Sequence, residues 1–366
     1  MFLSFREIRH AKLRFALITG VIVLVASLVF ILSGLARGLA TGNSAAIDAL
    51  PIDAMLVSRG SDYQLDRSSL SGDVVDVVRA IEGIEDAQPF GATASNVKKD
   101  GSEDVIGVSL IGVQPDSFAA PAPNEGEAVG ADDGGVVIDR TLADEGVKIG
   151  DTLVSDPGGT ELRVVGIVDG RSYRLAPTMF VPLEVWQEIQ AQGGGRDDDT
   201  INAVLIQGEG DAIAGIPDQI DNTLVASPQE IIENLPGYSE QALTLLLIQA
   251  FLVVIAAGII AAFFYIITLQ KVPELGVMKA LGTTTAYIAR NLITQVVLLG
   301  LVGVLIGVGL AWLVSALIGT AVPYTLDYVQ IAQFGVLLLV VAMIGTGLSL
   351  FQVARIDPLD AINKAG

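Results

Sequence analysis

Apolar residues along this chain fall into two kinds of run, and the spacing of charges separates them. Crossing roughly 30 Å of hydrocarbon at 1.5 Å per residue takes about 20 residues with few or no charges. Four windows meet that demand. The first runs from Phe15 to Ala36, and the second, Gln241 to Gln270, holds no Asp, Glu, Lys or Arg. The third begins after Arg290 and ends near Pro323; the fourth runs from Tyr328 to Ala354, with Asp327 in the short turn between them. The pattern predicts four transmembrane helices with both termini on one side. The first window is longer than the apolar core of a signal peptide, so it is expected to stay as a helix.

Between the first two windows the pattern changes to short apolar runs bounded by Gly, Asp and Pro. Strands are predicted at Ala54 to Ser58, Val108 to Val113, Val136 to Asp139, Leu162 to Val168, Met179 to Pro182 and Ala203 to Gln207. Helices are predicted at Val74 to Ile84, where Val74, Val77, Val78 and Ile81 recur at helical spacing, at Leu183 to Gln190 and at Pro228 to Leu235. Pro121 to Gly135 and Gln192 to Asp199 lack periodicity and read as loops. The fold class is therefore a membrane protein with four transmembrane α-helices and a large α+β domain inserted between the first and second. The divisions are an amphipathic segment at 1–14, spans at 15–40, 241–270, 291–322 and 328–354, the large domain at 41–240, a connecting segment at 271–290, a turn at 323–327 and a tail at 355–366. Residues 2 to 14 set Phe2, Leu3, Phe5, Ile8 and Leu13 against basic neighbours, as a helix on a membrane surface does.

Charge gives the orientation. Arg6, Arg9, Lys12, Arg14, Lys271, Lys279, Arg290, Arg355 and Lys364 flank the spans on one side, which places those segments in the cytoplasm. Residues 44–240 hold 36 acidic and 11 basic residues, within a whole-chain formal charge of −20. That acidic excess belongs to a solvated domain outside the cell membrane and argues against nucleic acid as a partner. The chain has no cysteine, so ordinary packing must hold this domain together.

Missing motifs narrow the function. There is no GxxxxGK[ST] loop for nucleotide phosphates, and no Cys or His cluster for zinc. His10 is the single histidine, which leaves no Ser-His-Asp set outside the membrane. The chain is expected to be non-catalytic, with any ATP hydrolysis on a separate subunit.

The segment Val272 to Gly282 is the telling cytoplasmic feature. Pro273 and Glu274 suit the first turn of a short helix and Gly282 its end. Leu275, Met278 and Leu281 then form an apolar stripe with no core of its own, suited to a groove on another protein.

Glu274-Leu-Gly-Val-Met-Lys-Ala-Leu-Gly282 resembles the coupling-helix signature of the FtsX-like, MacB-type ABC transporter permeases. Asp357-Pro-Leu-Asp-Ala361 resembles the tail of the same family. Val147-Lys-Ile-Gly-Asp-Thr-Leu153 followed by Leu162 to Val168 resembles the paired motif of its extracytoplasmic domain. Within the family, Met1 to Phe15, Leu32 to Leu39 and Pro236 to Gln241 look most like the HrtB-type haem-efflux permeases and their DevC-like relatives. The resemblance implies a homodimer in the cell membrane carried by two cytoplasmic ABC ATPase subunits. Pro273, Glu274, Leu275, Gly276, Met278, Lys279 and Leu281 would seat in the ATPase. Close approach of the two copies would use small residues such as Gly34, Gly38, Ala256, Ala257 and Gly258.

Two functions are compatible with that resemblance. One is ATP-driven extraction of haem, or a similar membrane-embedded amphiphile, and its release outside. The other is mechanical action on a cell-wall or extracytoplasmic partner, or export of a peptide or lipid. For haem, the iron needs an oxygen or nitrogen ligand, and Glu240, at the mouth of the second span, is the candidate, with Tyr238 as alternate. Arg37, at the outer end of the first span, is the candidate partner of a propionate.

Overall fold

The charge-poor runs become long helices. The computed structural model describes residues 12–101, 103–193, 199–280, 283–319 and 322–354. The long helices are α1 (Lys12–Asp48), α2 (Tyr238–Ala280), α3 (Thr285–Ile318) and α4 (Tyr328–Ala354). Among the described residues, Phe15–Asp48, Tyr238–Phe263 and Ala289–Ile318 are long and apolar enough to cross a membrane. In α4 the corresponding apolar stretch, Tyr328–Ile344, is shorter. Residues 1–11 and the tail at 355–366, including the Asp357 to Ala361 motif, lie outside the described residues.

The chain divides into two compact units, Met1–Gly38 with Leu243–Gly366, and Leu39–Ala242. Within the helical unit, α3 and α4 pack together through Gly300, where a Cβ would meet Leu339, and Gly335, where it would meet Val304. Ala26, Phe30, Ala256, Val304, Ala311 and Leu338 form one buried cluster. Helix α2 is mostly exposed: 6% of its most apolar window is buried, against 39% for α3. Phe251 and Val254 are 65% and 66% exposed.

In the second unit a single sheet holds ten strands. They are β1 (Ala54–Ser58), β3 (Ile84–Lys99), β4 (Val105–Val113), β5 (Glu125–Gly126), β6 (Val136–Asp139), β7 (Thr152–Asp156), β8 (Glu161–Val168), β9 (Thr178–Pro182), β11 (Ala203–Gly208) and β12 (Thr223–Ala226). Two short strands, β2 (Leu70–Ser71) and β10 (Thr200–Ile201), pair separately. The main order is β12-β1-β11-β3-β4-β9-β6-β8-β5, with β7 bridging β3 and β8. Pairs β4/β9 and β6/β8 are parallel. Side chains alternate across a strand, so a sheet with both faces covered reads as an unbroken apolar run. That is what β1 shows: Ala54 and Leu56 join one core, Met55 and Val57 the other. Leu110 and Ile111 of β4, and Val204 and Leu205 of β11, split in the same way.

All six expected strands are present. The structure corrects the expected helix from Val74 to Ile84, which ends at Arg79, because Gly83 with φ 93° turns the chain and Ile84 opens β3. The expected loop from Pro121 to Gly135 contains β5 and a helical turn at Ala131–Gly134. In the expected loop from Gln192 to Asp199, residues 194–198 lie outside the described residues.

Candidate functional site

Helix α1 carries a row of small and polar residues, and within the helical unit the α3–α4 connection is docked on it. A Cβ on Gly38 would run into the Pro323 carbonyl, and one on Gly34 into the Tyr324 ring. Glycine at these positions permits a backbone approach that any other residue would block. Thr325 N donates to Gly34 O at 3.1 Å, and Ser33 Oγ donates to Gln330 Oε1 at 3.0 Å. Gly34 and Gly38, expected at a contact between copies, are therefore covered by their own chain. Ala256 is likewise fully buried in the cluster with Ala26 and Phe30. Gly258, by contrast, is open, with nothing within 4 Å of an added Cβ.

Arg37 stands on this same stretch, with Nε 4.0 Å from Asp327 Oδ2. The Asp327 Oδ1 atom accepts from Val329 N at 2.8 Å, which caps the start of α4. One carboxylate thus serves a helix N-terminus and faces a cation. Sequence reasoning placed Arg37 but missed its partner; the signal was available, since Asp327 is the single charged residue between Arg290 and Arg355.

Tyr238 and Glu240 belong to the other unit, the one built on the sheet. Ser227 and Glu230 form a capping box at the helix Pro228–Glu233. Its hydrogen bonds from the Ser227 backbone and hydroxyl hold the Glu230 carboxyl below the usual carboxylate range. Ile231, Ile232 and Leu235 of this segment are buried in one of the two sheet cores, and the half-buried Tyr238 packs against that core. Glu240 follows, exposed, in the first turn of α2. It accepts a hydrogen bond from Ser239 Oγ at 3.1 Å.

The segment expected to dock on an ATPase departs from the sequence reading in one respect. Pro273, Glu274, Leu275, Gly276, Met278 and Lys279 continue α2 without a break rather than starting a new helix. A proline inside a helix removes one backbone bond, and good helix formers on both sides carry the helix across it. Leu281 and Gly282 lie outside the described residues. Thr284, whose hydroxyl accepts from Tyr287 N at 3.4 Å, caps α3.

The Val147 to Leu153 motif forms a turn closed by a carboxylate. Asp151 Oδ2 accepts from Lys99 Nζ at 2.7 Å and from Lys148 N at 2.9 Å. These bonds hold the Asp151 carboxyl below its ordinary range, Lys99 contributing most. The turn joins Leu142 and Val147, both in the sheet core, to β7.

Known proteins resemble the chain in two ways. Residues 246–358 match the family described as FtsX-like permease C-terminal. A Staphylococcus epidermidis protein named as a hemin transport system permease, HrtB, is 28% identical over 364 residues, covering 99% of both chains. An uncharacterized ABC transporter permease of Mycobacterium bovis is 24% identical and covers 98% of this chain and 97% of its own. Among solved structures, the periplasmic region of MacB from Actinobacillus actinomycetemcomitans is 14% identical, covering 54% of this chain and 96% of that one with a TM-score of 0.37.

Proposed function

Starting from an FtsX-like permease domain at residues 246–358, we propose that this chain is the membrane subunit of an ATP-driven ABC exporter whose substrate is haem or a similar membrane-embedded amphiphile. The observation that carries the haem reading is the end-to-end similarity to the hemin transport permeases, with no large segment unmatched on either side. In this reading α1 to α4 all cross the membrane, the termini and the α2–α3 connection are cytoplasmic, and the sheet domain lies outside. The skewed distribution of basic residues supports that orientation.

The chain works as a homodimer on two ATPase subunits. The exposed apolar length of α2, including Leu246, Phe251 and Val254, supports a contact with a second copy or with lipid, since so wide an apolar surface is stable only against one of them. The end of α2 from Pro273 onward, continuing toward Leu281, is the seat of the ATPase. A continuous helix suits that work, because a push at its cytoplasmic end is transmitted along a rigid rod.

Haem leaves the membrane at the outer end of α2. Glu240, exposed and ahead of a charge-free run, is the iron ligand, and the half-buried Tyr238 is the alternate. Arg37 pairs with a propionate in competition with Asp327.

The alternative is a permease that drives an outer partner in the cell wall, which the FtsX-like domain also accommodates. Steady-state ATP hydrolysis by the permease with its ATPase in lipid nanodiscs separates the two. Stimulation by micromolar hemin supports export. Stimulation only by cell-wall material would replace it with the mechanical reading.

A further inference from the structure

The sheet domain contains a cavity of about 200 Å³ that plays no part in the export scheme above. Most of its lining residues are apolar, among them Ala46 of α1, Leu50 just beyond that helix, Phe118 and Ala119 from the loop after β4, and Phe180 of β9. Arg171 is the one charged residue lining it. The Arg171 Nε atom is buried and has no hydrogen-bond partner among the described residues.

The acid bonded to the Arg171 backbone is already occupied. Arg171 N donates to Asp139 Oδ2 at 2.6 Å. The Asp139 Oδ1 atom already accepts from Thr141 N at 3.0 Å and Thr141 Oγ1 at 2.7 Å. This buried acid is therefore occupied by two backbone amides and a hydroxyl. Next along the chain, Ser172 O accepts from Ala46 N at 3.0 Å, which ties the arginine's loop to the helix that forms the opposite wall. Opposite these, the 114–120 loop is closed by Ser117 N and Oγ on Gln114 O and by Ala120 N on Ser117 O. The walls are thus held by hydrogen bonds of their own, while the buried Nε of a lining residue is left unused. A buried donor without an acceptor is unfavourable, and an anionic acceptor relieves it most.

We propose that this cavity binds a small apolar carboxylic acid, its ring or short acyl chain among Leu50, Phe118 and Phe180 and its carboxylate on Arg171. The volume sets the size. An apolar cavity of about 150 Å³ accommodates benzene, so this one takes a single ring with its carboxylate and excludes a tetrapyrrole. None of its lining residues is one assigned to haem.

The test uses the full chain in phosphatidylcholine nanodiscs and fluorine NMR of 4-fluorobenzoate, with 4-fluorobenzyl alcohol as the uncharged probe of the same shape. Saturable binding of the acid is expected, displaced by unlabelled benzoate and tighter than the alcohol by about tenfold. Arg171→Gln removes that preference and leaves the alcohol's weak binding in place. Ala119→Leu fills the cavity and removes both, and Arg163→Gln, an arginine elsewhere in the domain, changes neither. Retention of the wild-type circular dichroism spectrum by Arg171→Gln separates loss of the site from loss of the fold. The proposal is overturned if the wild type shows no saturable binding, if the alcohol binds as well as the acid, or if Arg171→Gln binds 4-fluorobenzoate as wild type does.

Discussion

Arg37 Nε lies 4.0 Å from Asp327 Oδ2, and that acid also caps α4 through Val329 N. The pair is accompanied by glycines at 34 and 38, which let Tyr324 and Pro323 lie directly on α1. The two parts of this arrangement contribute unequally. Arg37 and Asp327 are 47% and 28% exposed in their side chains, so Arg37→Ala is expected to lower stability by no more than about 1 kcal/mol. Gly38→Ala forces a methyl against a backbone carbonyl and is expected to lower it by about 3 kcal/mol. Thermal unfolding of the detergent-solubilised protein, followed by size-exclusion of what survives heating, ranks the two variants. Equal losses would mean that the backbone approach is not what holds the connection.

A second prediction concerns pH. Asp151 is held below the usual carboxylate range by Lys99 and the Lys148 amide, so its folded form favours the charged state. The stabilisation is present above the ordinary carboxylate value and is lost as pH falls through the lowered one. Asp151→Asn should therefore destabilise the sheet domain by about 1 kcal/mol at pH 7, and the gap to wild type should close in acid. Urea unfolding at a series of pH values, read by near-ultraviolet circular dichroism, checks it. A gap that widens in acid would assign the turn's stability to something other than this carboxylate.

How far the sequence foretells the structure depends on whether a residue's role is local. Charge-free runs mark the long helices because hydrophobicity over such a length has few other uses; β1 is legible because every residue of it is apolar or small, and β6 because Val136, Val137 and Ile138 form an unbroken apolar run. The longest strand, β3, is not legible. Its sequence includes Pro89 and Gly91 among polar residues, and what makes it a strand is supplied from elsewhere. Strand β11 pairs with its first half, β4 with its second, and Trp186 lies over the space that a side chain at Gly91 would fill. In the helical unit, Gly34 and Gly38 announce close approach without saying to what; the partner proves to be the α3–α4 connection of the same chain. Arg171 carries no sequence signal at all, because a buried donor without a partner is visible only in the folded chain.

Met278→Glu is expected to abolish co-purification of the ATPase while leaving the permease in the membrane at wild-type level. A carboxylate set into an apolar groove is unfavourable by several kcal/mol, about a thousandfold or more in affinity, and α2 can release the groove without unfolding. Retention of the ATPase by this variant would move the segment from Pro273 to Lys279 to the lipid surface.

Purified permease loaded with hemin is expected to show a Soret band that weakens in Glu240→Ala and persists in Glu233→Ala, since Glu233 is also an exposed acid but lies in the preceding helix. Tyr238→Phe should alter the band less than Glu240→Ala. A spectrum and a haem resistance both unchanged in Glu240→Ala would remove this residue from the site.

The export reading meets its most direct test in vesicles that carry the permease and its ATPase with the sheet domain facing the external solution. With hemin dissolved in the bilayer and apomyoglobin outside, the account predicts that ATP supplied to the ATPase side accelerates the rise of the holomyoglobin Soret band, and that a permease carrying Met278→Glu does not. A rate of haem appearance that is the same with and without ATP, in vesicles whose ATPase is active, would contradict it.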